Sequence, residues 1–165
     1  MTAANLQSPS RPHDPGSARS SSLRTIDTEL AGLGILREAL ANGLADPFAR
    51  AVETIVKATG RVIVTGVGKS GHVGAKIAAT FASTGTPSVY VNAAEALHGD
   101  LGVVGRGDVV LMVSNSAETV ELAKMLPSIR HIGAKALGIF GKTNTSLALN
   151  CDIVLDASIE REACP

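Results

Sequence analysis

With 165 residues, of which 45% are hydrophobic, the chain is long enough for one globular domain, and its 15 Lys and Arg balance 15 Asp and Glu. The even charge and the 2% aromatic content argue against nucleic-acid binding, and no stretch approaches the roughly 18 apolar residues of a membrane-spanning helix. Cys151 and Cys164 are too few for a disulfide framework or a zinc cluster, so we expect reduced thiols and a cytoplasmic protein.

The first 24 residues are typical of a disordered tail. They contain Pro9, Pro12 and Pro15, a run of serines and almost no large apolar side chains, so they cannot bury enough surface to offset the entropy of ordering. No apolar segment of about 7 to 15 residues follows the N-terminus, which excludes a secretory signal. We therefore predict a disordered tail over residues 1–24 and a folded domain over residues 25–165.

Two helices are predicted before the first strand. Apolar side chains recur every three or four residues over 23–44, which places them on one face of a long amphipathic helix. A second, shorter helix should begin with Asp46 as its N-cap and Pro47 at its first position, and should end at Gly60. The leucine-lined face of the first helix either covers the core of its own domain or contacts another subunit.

Beyond Gly60, short β-branched segments alternate with helical ones. The predicted strands cover residues 62–65, 88–91, 109–113, 136–140 and 153–155, and the predicted helices cover residues 70–83, 93–97, 118–131 and 145–150. Because the strands are apolar throughout, both of their faces should be covered. The pattern predicts an α/β fold with a doubly wound, five-stranded parallel sheet in an α-β-α sandwich, whose ligands bind at the carboxyl ends of the strands.

The turn after the first strand, GVGKSGHVG at residues 66–74, has features of an anion-binding turn. Gly66, Gly68 and Gly71 fit the GxGxxG spacing of dinucleotide sites, but the next strand ends on Asn92 instead of an acidic residue. A Walker-type loop is excluded because Ile63 stands where its first glycine belongs. A lysine, a hydroxyl and free helix amides could bind one small anion, or the glycines could serve only tight packing and positive φ.

A second turn, SNSAET at residues 114–119, is rich in hydroxyl groups and follows the third predicted strand. Its side chains could simply cap the next helix, with Asn115 as N-cap and Glu118 completing a capping box. However, the hydroxyls of Ser114, Ser116 and Thr119 should lie at the same sheet edge as the lysine of the first turn, because parallel strands end together. Two such turns at one edge favour a pocket for a phosphate group.

Four segments together resemble a known family. GVGKSGHVGAKIAATFASTGTPS, AAEALHGDLG, SNSAET and REACP are similar, in order and spacing, to the sugar isomerase (SIS) domain of bacterial arabinose-5-phosphate isomerases. The match covers about residues 60–165, and the helical stretch from about residue 23 fits the N-terminal helices of the family. The resemblance implies reversible conversion of D-arabinose 5-phosphate to D-ribulose 5-phosphate, which supplies a precursor for the sugar acid of lipopolysaccharide or capsule.

The resemblance also implies roles for individual residues. Lys69, Glu121 and Glu162 match positions proposed to be catalytic in the family, with Lys69 facing the sugar oxygens. The implied substrate-binding residues are Ser70, His98, Ser114, Asn115, Ser116 and Thr119. Among them, the hydroxyls of Ser114, Ser116 and Thr119, helped by Ser70, would hold the phosphate, and His98 matches a loop that lines the pocket. Without the resemblance, Glu121 could equally be a solvated helix residue paired with Lys124, and Glu162 lies near a chain end, where disorder is common.

An aldose–ketose isomerisation needs a base and a group that stabilises negative charge. The base removes the proton beside the carbonyl, an enediolate forms, and the proton returns to the neighbouring carbon. A carboxylate and a nearby cation serve these functions, which fits Lys69 with Glu121 or Glu162. The reaction needs no redox step, so no cofactor is implied, and Glu95 and His98 without a third ligand do not imply a metal.

Two features depart from the family pattern. Ala117 stands where the family commonly has glycine, and the sequence stops at Pro165, before the closing helix and a further histidine of the family. We therefore expect a C-terminally incomplete SIS domain of low stability, without the cystathionine-β-synthase-type regulatory modules of many relatives. The resemblance further implies a homo-oligomer, either a dimer or a tetramer, whose pockets are shared between subunits.

Three functions remain open from the sequence. The first is the sugar-phosphate isomerase, and the second is a non-catalytic phosphosugar-binding or regulatory module, since one fold can serve both. A dinucleotide-dependent enzyme is the third, because of the glycine spacing after the first strand.

Overall fold

A computed structural model of the chain describes residues 15–163. Its helices are α1 (Pro15–Ala41), α2 (Ala45–Val56), α3 (Gly68–Ser83), α4 (Ala93–Ala96), α5 (Val120–Ile132) and α6 (Ser146–Leu149), with a 3-10 turn at Asp100–Val103. Its strands are β1 (Val62–Gly66), β2 (Ser88–Asn92), β3 (Val109–Ser114), β4 (Lys135–Phe140) and β5 (Ile153–Asp156). Every predicted strand is present, and none of these helices is long and apolar enough to cross a membrane.

The strands form one parallel sheet in the order β2-β1-β3-β4-β5. From β1 the chain moves to β2 on one side, and then returns to add β3, β4 and β5 on the other side. This order confirms the predicted doubly wound, five-stranded parallel sheet. The winding direction reverses between β1 and β3, and in sheets of this order the ligand crevice lies at that point, outside the carboxyl ends of the strands.

Two apolar clusters cover the two faces of the sheet. Along β1, Ile63 packs in the cluster that contains side chains of α5 and α6, whereas Val62 and Val64 pack in the cluster that contains side chains of α2 and α3. Both faces of the strands are therefore buried, which explains why the strand sequences are apolar throughout. The result is the predicted α-β-α sandwich.

The first helix begins earlier than the sequence predicted. α1 starts at Pro15, so residues 15–24, predicted to belong to a disordered tail, are helical, while residues 1–14 lie outside the described part of the chain. Proline suits the first position of a helix, because its fixed φ matches and the N–H that it lacks would be unpaired there. Within this stretch the Arg24 guanidinium donates to Ser20 Oγ at 2.6 Å, one helical turn away.

The apolar face of α1 is exposed. Leu30 and Leu33 are 60% and 62% exposed, and the other large apolar side chains of this face are exposed as well. Among the described residues, neither apolar cluster contains a side chain of α1. The face therefore does not cover the core of its own domain.

The second helix begins without the predicted cap. Leu44 is the N-cap of α2 and makes no side-chain capping hydrogen bond, whereas Asp46 lies in the first turn, where its negative charge suits the helix dipole. α2 ends at Val56 and not at Gly60, because Lys57 already has the geometry of a C-cap residue. The existence of both N-terminal helices is confirmed, but their predicted ends were wrong by several residues.

Candidate active site

The carboxyl ends of β1, β2 and β3 lie side by side. Gly66 at the end of β1 pairs with Asn92 at the end of β2, and Thr65 pairs with Met112 of β3. A Cβ built on Gly66 would lie 3.0 Å from the carbonyl oxygen of Val113, so the backbones approach closely at this edge. The glycine turn and the hydroxyl-rich turn therefore start from neighbouring strands, as expected from the sequence.

The glycines of the first turn have packing roles. A Cβ on Gly71 would lie 2.5 Å from the hydroxyl oxygen of Tyr90, and a Cβ on Gly74 would lie 3.3 Å from the Tyr90 ring and from a Val64 methyl group. Gly68 has a φ of 58°, which favours glycine. The packing interpretation of these glycines therefore holds, and it does not exclude an anion at the same turn.

Lys69 and Ser70 lie in the first turn of α3. The helix follows Val67, which provides no side-chain cap, so the first amide groups of α3 can donate hydrogen bonds to an anion. Lys69 is exposed and, among residues 15–163, has no ion-pair or hydrogen-bond partner. A free cation thus stands beside free amides at the β1 end of the crevice.

Ser114 and Thr119 hold the second turn, which we call the hydroxyl loop (residues 114–119). Ser114 Oγ lies 2.9 Å from Thr119 Oγ1 and accepts a hydrogen bond from the amide of Ala117 at 3.1 Å. The amide of Glu118 donates to Ser116 Oγ at 3.2 Å. The hydrogen bonds of the loop thus bring the hydroxyls of Ser114 and Thr119 together and hold that of Ser116 separately.

The alternative interpretation of the hydroxyl loop, a capping box from Asn115 to Glu118, is not observed among the described residues. The N-cap of α5 is Thr119, not Asn115, and no side chain caps the helix. The helix begins several residues after Asn115 because Ala117 has a φ of 50°, in the left-handed region, and because the Ser114 hydroxyl accepts a hydrogen bond from the Ala117 amide. Since α5 has no side-chain cap, its first amide groups can also donate hydrogen bonds to an anion.

Glu121 lies in the first turn of α5, directly after the hydroxyl loop, and is half-buried. Within the described residues it forms no ion pair, so the alternative of a pair with Lys124 is not observed. An unpaired carboxylate beside a cluster of hydroxyls is a reasonable general base.

Glu162 lies elsewhere in this chain. It follows β5, which is three strands away from β1, or roughly 14 Å across the sheet at the usual strand spacing. The neighbouring Arg161 donates to Thr28 Oγ1 of α1 at 3.3 Å, so this segment runs beside α1. Glu162 is exposed, and the structure does not bring it to the loops that hold Lys69 and the hydroxyls.

His98 belongs to a third turn at the same edge. Asn92 caps α4 by accepting a hydrogen bond from the amide of Ala94 at 2.9 Å, and His98 follows α4 with its own amide bound to the carbonyl of Glu95. The His98 side chain is exposed. Within residues 15–163 no three His, Cys, Asp or Glu side chains are grouped so that they could hold a metal ion.

Tyr90 is a residue of this edge that sequence reasoning missed. Its hydroxyl donates to the carbonyl of Gly66 at 2.9 Å and fastens the start of the glycine turn to β2. A tyrosine hydroxyl is protonated at neutral pH, and burial raises the pKa of Tyr90 further. The available signal was a tyrosine in an otherwise aliphatic strand, since a buried tyrosine usually needs a partner for its hydroxyl.

Cys151 is not a candidate nucleophile. It is a free cysteine, and burial, followed by the charge of Asp152, raises the pKa of its thiol to about 11. The thiolate is the reactive form, so Cys151 is unreactive at neutral pH.

The relatives found by comparison with known proteins include two named arabinose 5-phosphate isomerases. The chain is 46% identical over 149 residues to arabinose 5-phosphate isomerase KdsD of Pseudomonas aeruginosa, covering 88% of this chain and 46% of that protein. It is 49% identical over 122 residues to arabinose 5-phosphate isomerase GutQ of Escherichia coli, covering 74% of this chain and 38% of that protein. The chain therefore spans less than half the length of these relatives.

A solved structure agrees with the fold over most of the chain. The protein c3406 of Escherichia coli CFT073, solved in complex with arabinose 5-phosphate, superposes with a TM-score of 0.82 at 37% identity. The superposition covers 91% of this chain and 78% of that one. Residues 54–164, which include the glycine turn and the hydroxyl loop, match the family model described as the SIS domain. With its doubly wound sheet and both turns at the β1–β3 crevice, the chain belongs to the SIS domain family.

Proposed function

We propose that the chain is the isomerase domain of an arabinose-5-phosphate isomerase, which interconverts D-arabinose 5-phosphate and D-ribulose 5-phosphate. The observation that carries this proposal is the position of the lysine-bearing turn and the hydroxyl loop at the ends of neighbouring strands. The names of the two relatives and the sugar phosphate bound to the superposed protein support it. In this role the protein works in the cytoplasm and supplies a precursor for the sugar acid of lipopolysaccharide or capsule.

In the proposed complex the hydroxyl loop binds the phosphate. The hydroxyls of Ser114 and Thr119 are 2.9 Å apart and can reach oxygens of one phosphate group. Ser116, Ser70 and the amide of Asn115 add further donors. Because α3 and α5 both begin here without side-chain caps, two helix N-termini favour the negative charge.

The chemical step is proposed for Glu121 and Lys69. The Glu121 carboxylate removes the proton from C2 of the aldose, the electron pair forms a C1–C2 double bond, and negative charge develops on O1, which the Lys69 ammonium group stabilises. The proton then returns to C1 while O2 passes its proton to O1, which gives the ketose. The position of Glu121 directly after the hydroxyl loop supports this assignment.

The working unit is proposed to be a homo-oligomer. The exposed leucines of α1 form an apolar face, and beside it a groove of about 780 Å³ separates α1 from the segment after β5. Association of copies through this face would bury both features. Glu162 then acts in the site of a neighbouring copy, which would explain its distance from Lys69 in its own chain.

The test is proton exchange followed by NMR in heavy water. A working isomerase removes the C2 proton of arabinose 5-phosphate, so the C2 signal should fade while ribulose 5-phosphate deuterated at C1 accumulates. Binding of the sugar phosphate without exchange would instead establish the non-catalytic phosphosugar-binding module. The distant and exposed Glu162 is the observation that favours this second candidate.

A further inference from the structure

Gly141 lies against the hydroxyl loop at a distance that excludes any side chain. A Cβ built on Gly141 would lie 2.2 Å from Oδ1 of Asn115 and 2.7 Å from the backbone carbonyl oxygen of Asn115. No carbon atom tolerates such distances, so one of the two partners would have to move. The amide could rotate away, but the carbonyl belongs to the backbone of the loop.

Gly141 itself is held in place by the sheet. It follows Phe140, which is fully buried. Phe140 pairs with Ser114 of β3, and the Phe140 carbonyl accepts a hydrogen bond from the amide of Ala157 at 2.8 Å. The amide of Gly141 donates to the carbonyl of Ser114 at 3.2 Å. Because both neighbouring strands fix this position, a Cβ would displace Asn115 and not Gly141.

The displacement would reach the hydroxyls. Ser114, before Asn115, is anchored as the last residue of β3. Ser116, after Asn115, has one side-chain hydrogen bond among residues 15–163, which its Oγ accepts from the amide of Glu118 at 3.2 Å. The shift would therefore move the Ser116 hydroxyl relative to those of Ser114 and Thr119, so the three hydroxyls could no longer bind one phosphate group together.

We propose that Gly141 is a positioning residue for binding of the sugar phosphate. Because Gly141 has no side chain, Asn115 can lie directly over the end of β4, and this fixes the position of the hydroxyl loop. The inference rests on the proposed function, because it assumes that the hydroxyl loop binds the phosphate. Gly141 makes no contact with the ligand in this role. It acts on affinity through the position of Ser116.

The main experiment compares Gly141→Ala with the wild-type chain by isothermal titration with D-arabinose 5-phosphate. We expect the dissociation constant to rise roughly tenfold to a hundredfold, since the displaced Ser116 hydroxyl would lose its hydrogen bond to the charged phosphate, and such a bond is worth about that factor. Gly105→Ala is the matched control. Gly105 is also half-buried, and its Cβ would meet only Asp108 Oδ2 at 3.6 Å, an ordinary contact at the opposite edge of the sheet.

A double-mutant cycle separates positioning from general damage. Asn115→Ala removes the amide that the added Cβ would overlap and leaves the backbone carbonyl at 2.7 Å, so the loss of affinity in the variant with both changes should be no larger than the sum of the two single losses. A loss larger than that sum, or an affinity of Gly141→Ala within twofold of wild type, would overturn the inference while leaving the proposed function intact. A wild-type chain that does not bind the sugar phosphate would overturn both.

If Gly141→Ala does not fold, the wild-type chain still provides a test. In a ¹⁵N NMR titration with arabinose 5-phosphate, the amide signal of Gly141 should shift together with those of the hydroxyl loop, because its N–H is bonded to Ser114. Shifts of Ser116 and Thr119 without any shift of Gly141 would contradict the inference.

Discussion

Ser114 Oγ and Thr119 Oγ1 lie 2.9 Å apart, and their contact joins the last residue of β3 to the N-cap of α5. Ser114 is buried, whereas Thr119 is half-buried and borders the crevice between β1 and β3. The pair therefore closes the hydroxyl loop on itself, and in the proposed complex it also offers oxygen atoms to the phosphate.

The first prediction concerns Thr119→Val, which keeps the side-chain shape and removes the hydroxyl. We expect the affinity for arabinose 5-phosphate to fall roughly tenfold or more, because a hydrogen bond to a charged group contributes about 1.5–3 kcal/mol. The free energy of unfolding should fall by only about 1 kcal/mol. Isothermal titration and urea unfolding measure the two effects, with Thr80→Val on the exposed side of α3 as control. An unchanged affinity would show that Thr119 only closes the loop.

Ala117 gives the second prediction, which is about stability. Its φ of 50° and complete burial leave no room for a branched side chain, so Ala117→Val should lower the free energy of unfolding by about 2 kcal/mol or more. Ala123→Val, at an exposed position of α5, should cost only about 0.5 kcal/mol.

Ala117→Gly should change the stability by less than about 1 kcal/mol. Relief of the left-handed conformation favours glycine by about 1–2 kcal/mol, but lost burial of a methyl group and the greater entropy of glycine in the unfolded chain oppose it by a similar amount. If Ala117→Val and Ala123→Val unfold at the same urea concentration, the left-handed backbone of residue 117 does not disfavour a branched side chain.

The sheet could be predicted from the sequence, whereas the inner geometry of the hydroxyl loop could not. Each strand is a short apolar segment between glycine or polar residues, and the predicted ends differ from the observed ends by at most one residue. In the loop, a capping box from Asn115 to Glu118 obeys the local rules. The Ser114 hydroxyl instead binds the Ala117 amide, and an alanine adopts a conformation that its residue type does not predict.

The N-terminal helices show a second limit of the sequence. The periodicity of apolar residues correctly predicts a helix with a leucine-lined face, but it does not reveal what covers that face. Leu30 and Leu33 prove to be exposed, although the same spacing would suit a helix packed on its own core. Likewise Glu162 lies in the REACP segment that resembles the family motif, yet the preceding strand β5 lies far from β1 in the sheet.

Asp108 gives a prediction about stability at the opposite edge of the sheet. Its buried carboxylate accepts hydrogen bonds from the amides of Arg61 at 2.8 Å and Gly105 at 2.7 Å. Asp108→Ala would leave both amides without these partners, so we expect the free energy of unfolding to fall by about 2–4 kcal/mol. Asp100→Ala, at an exposed position, should have little effect on unfolding in urea. Comparable losses in the two variants would contradict the role of the Asp108 carboxylate.

Lys69 and Glu121 give the prediction that bears most directly on the chemistry. Lys69→Met removes the cation beside the developing oxyanion, and Glu121→Gln removes the base while keeping the side-chain shape. Each should lower kcat at least a hundredfold, and Glu121→Gln should leave the dissociation constant of arabinose 5-phosphate nearly unchanged. Lys76→Met, at an exposed position of α3, and Glu53→Gln, at an exposed position of α2, are the controls. If Glu121→Gln still exchanges the C2 proton at the wild-type rate, another group is the base.

The exposed face of α1 gives the last prediction, which concerns assembly. Leu30→Lys with Leu33→Lys places two charges on this face, where the side chains are 60% and 62% exposed. If copies of the chain associate through α1, burying these charges would be costly, so the pair of substitutions should shift the protein to monomers in light scattering coupled to size-exclusion chromatography. The fold should persist, because neither leucine belongs to an apolar cluster of the described residues. Leu149→Lys, at a 76% exposed position on α6, should leave the assembly unchanged. Should both variants keep the wild-type mass, the contact between copies lies elsewhere, and Glu162 would need another route to the site.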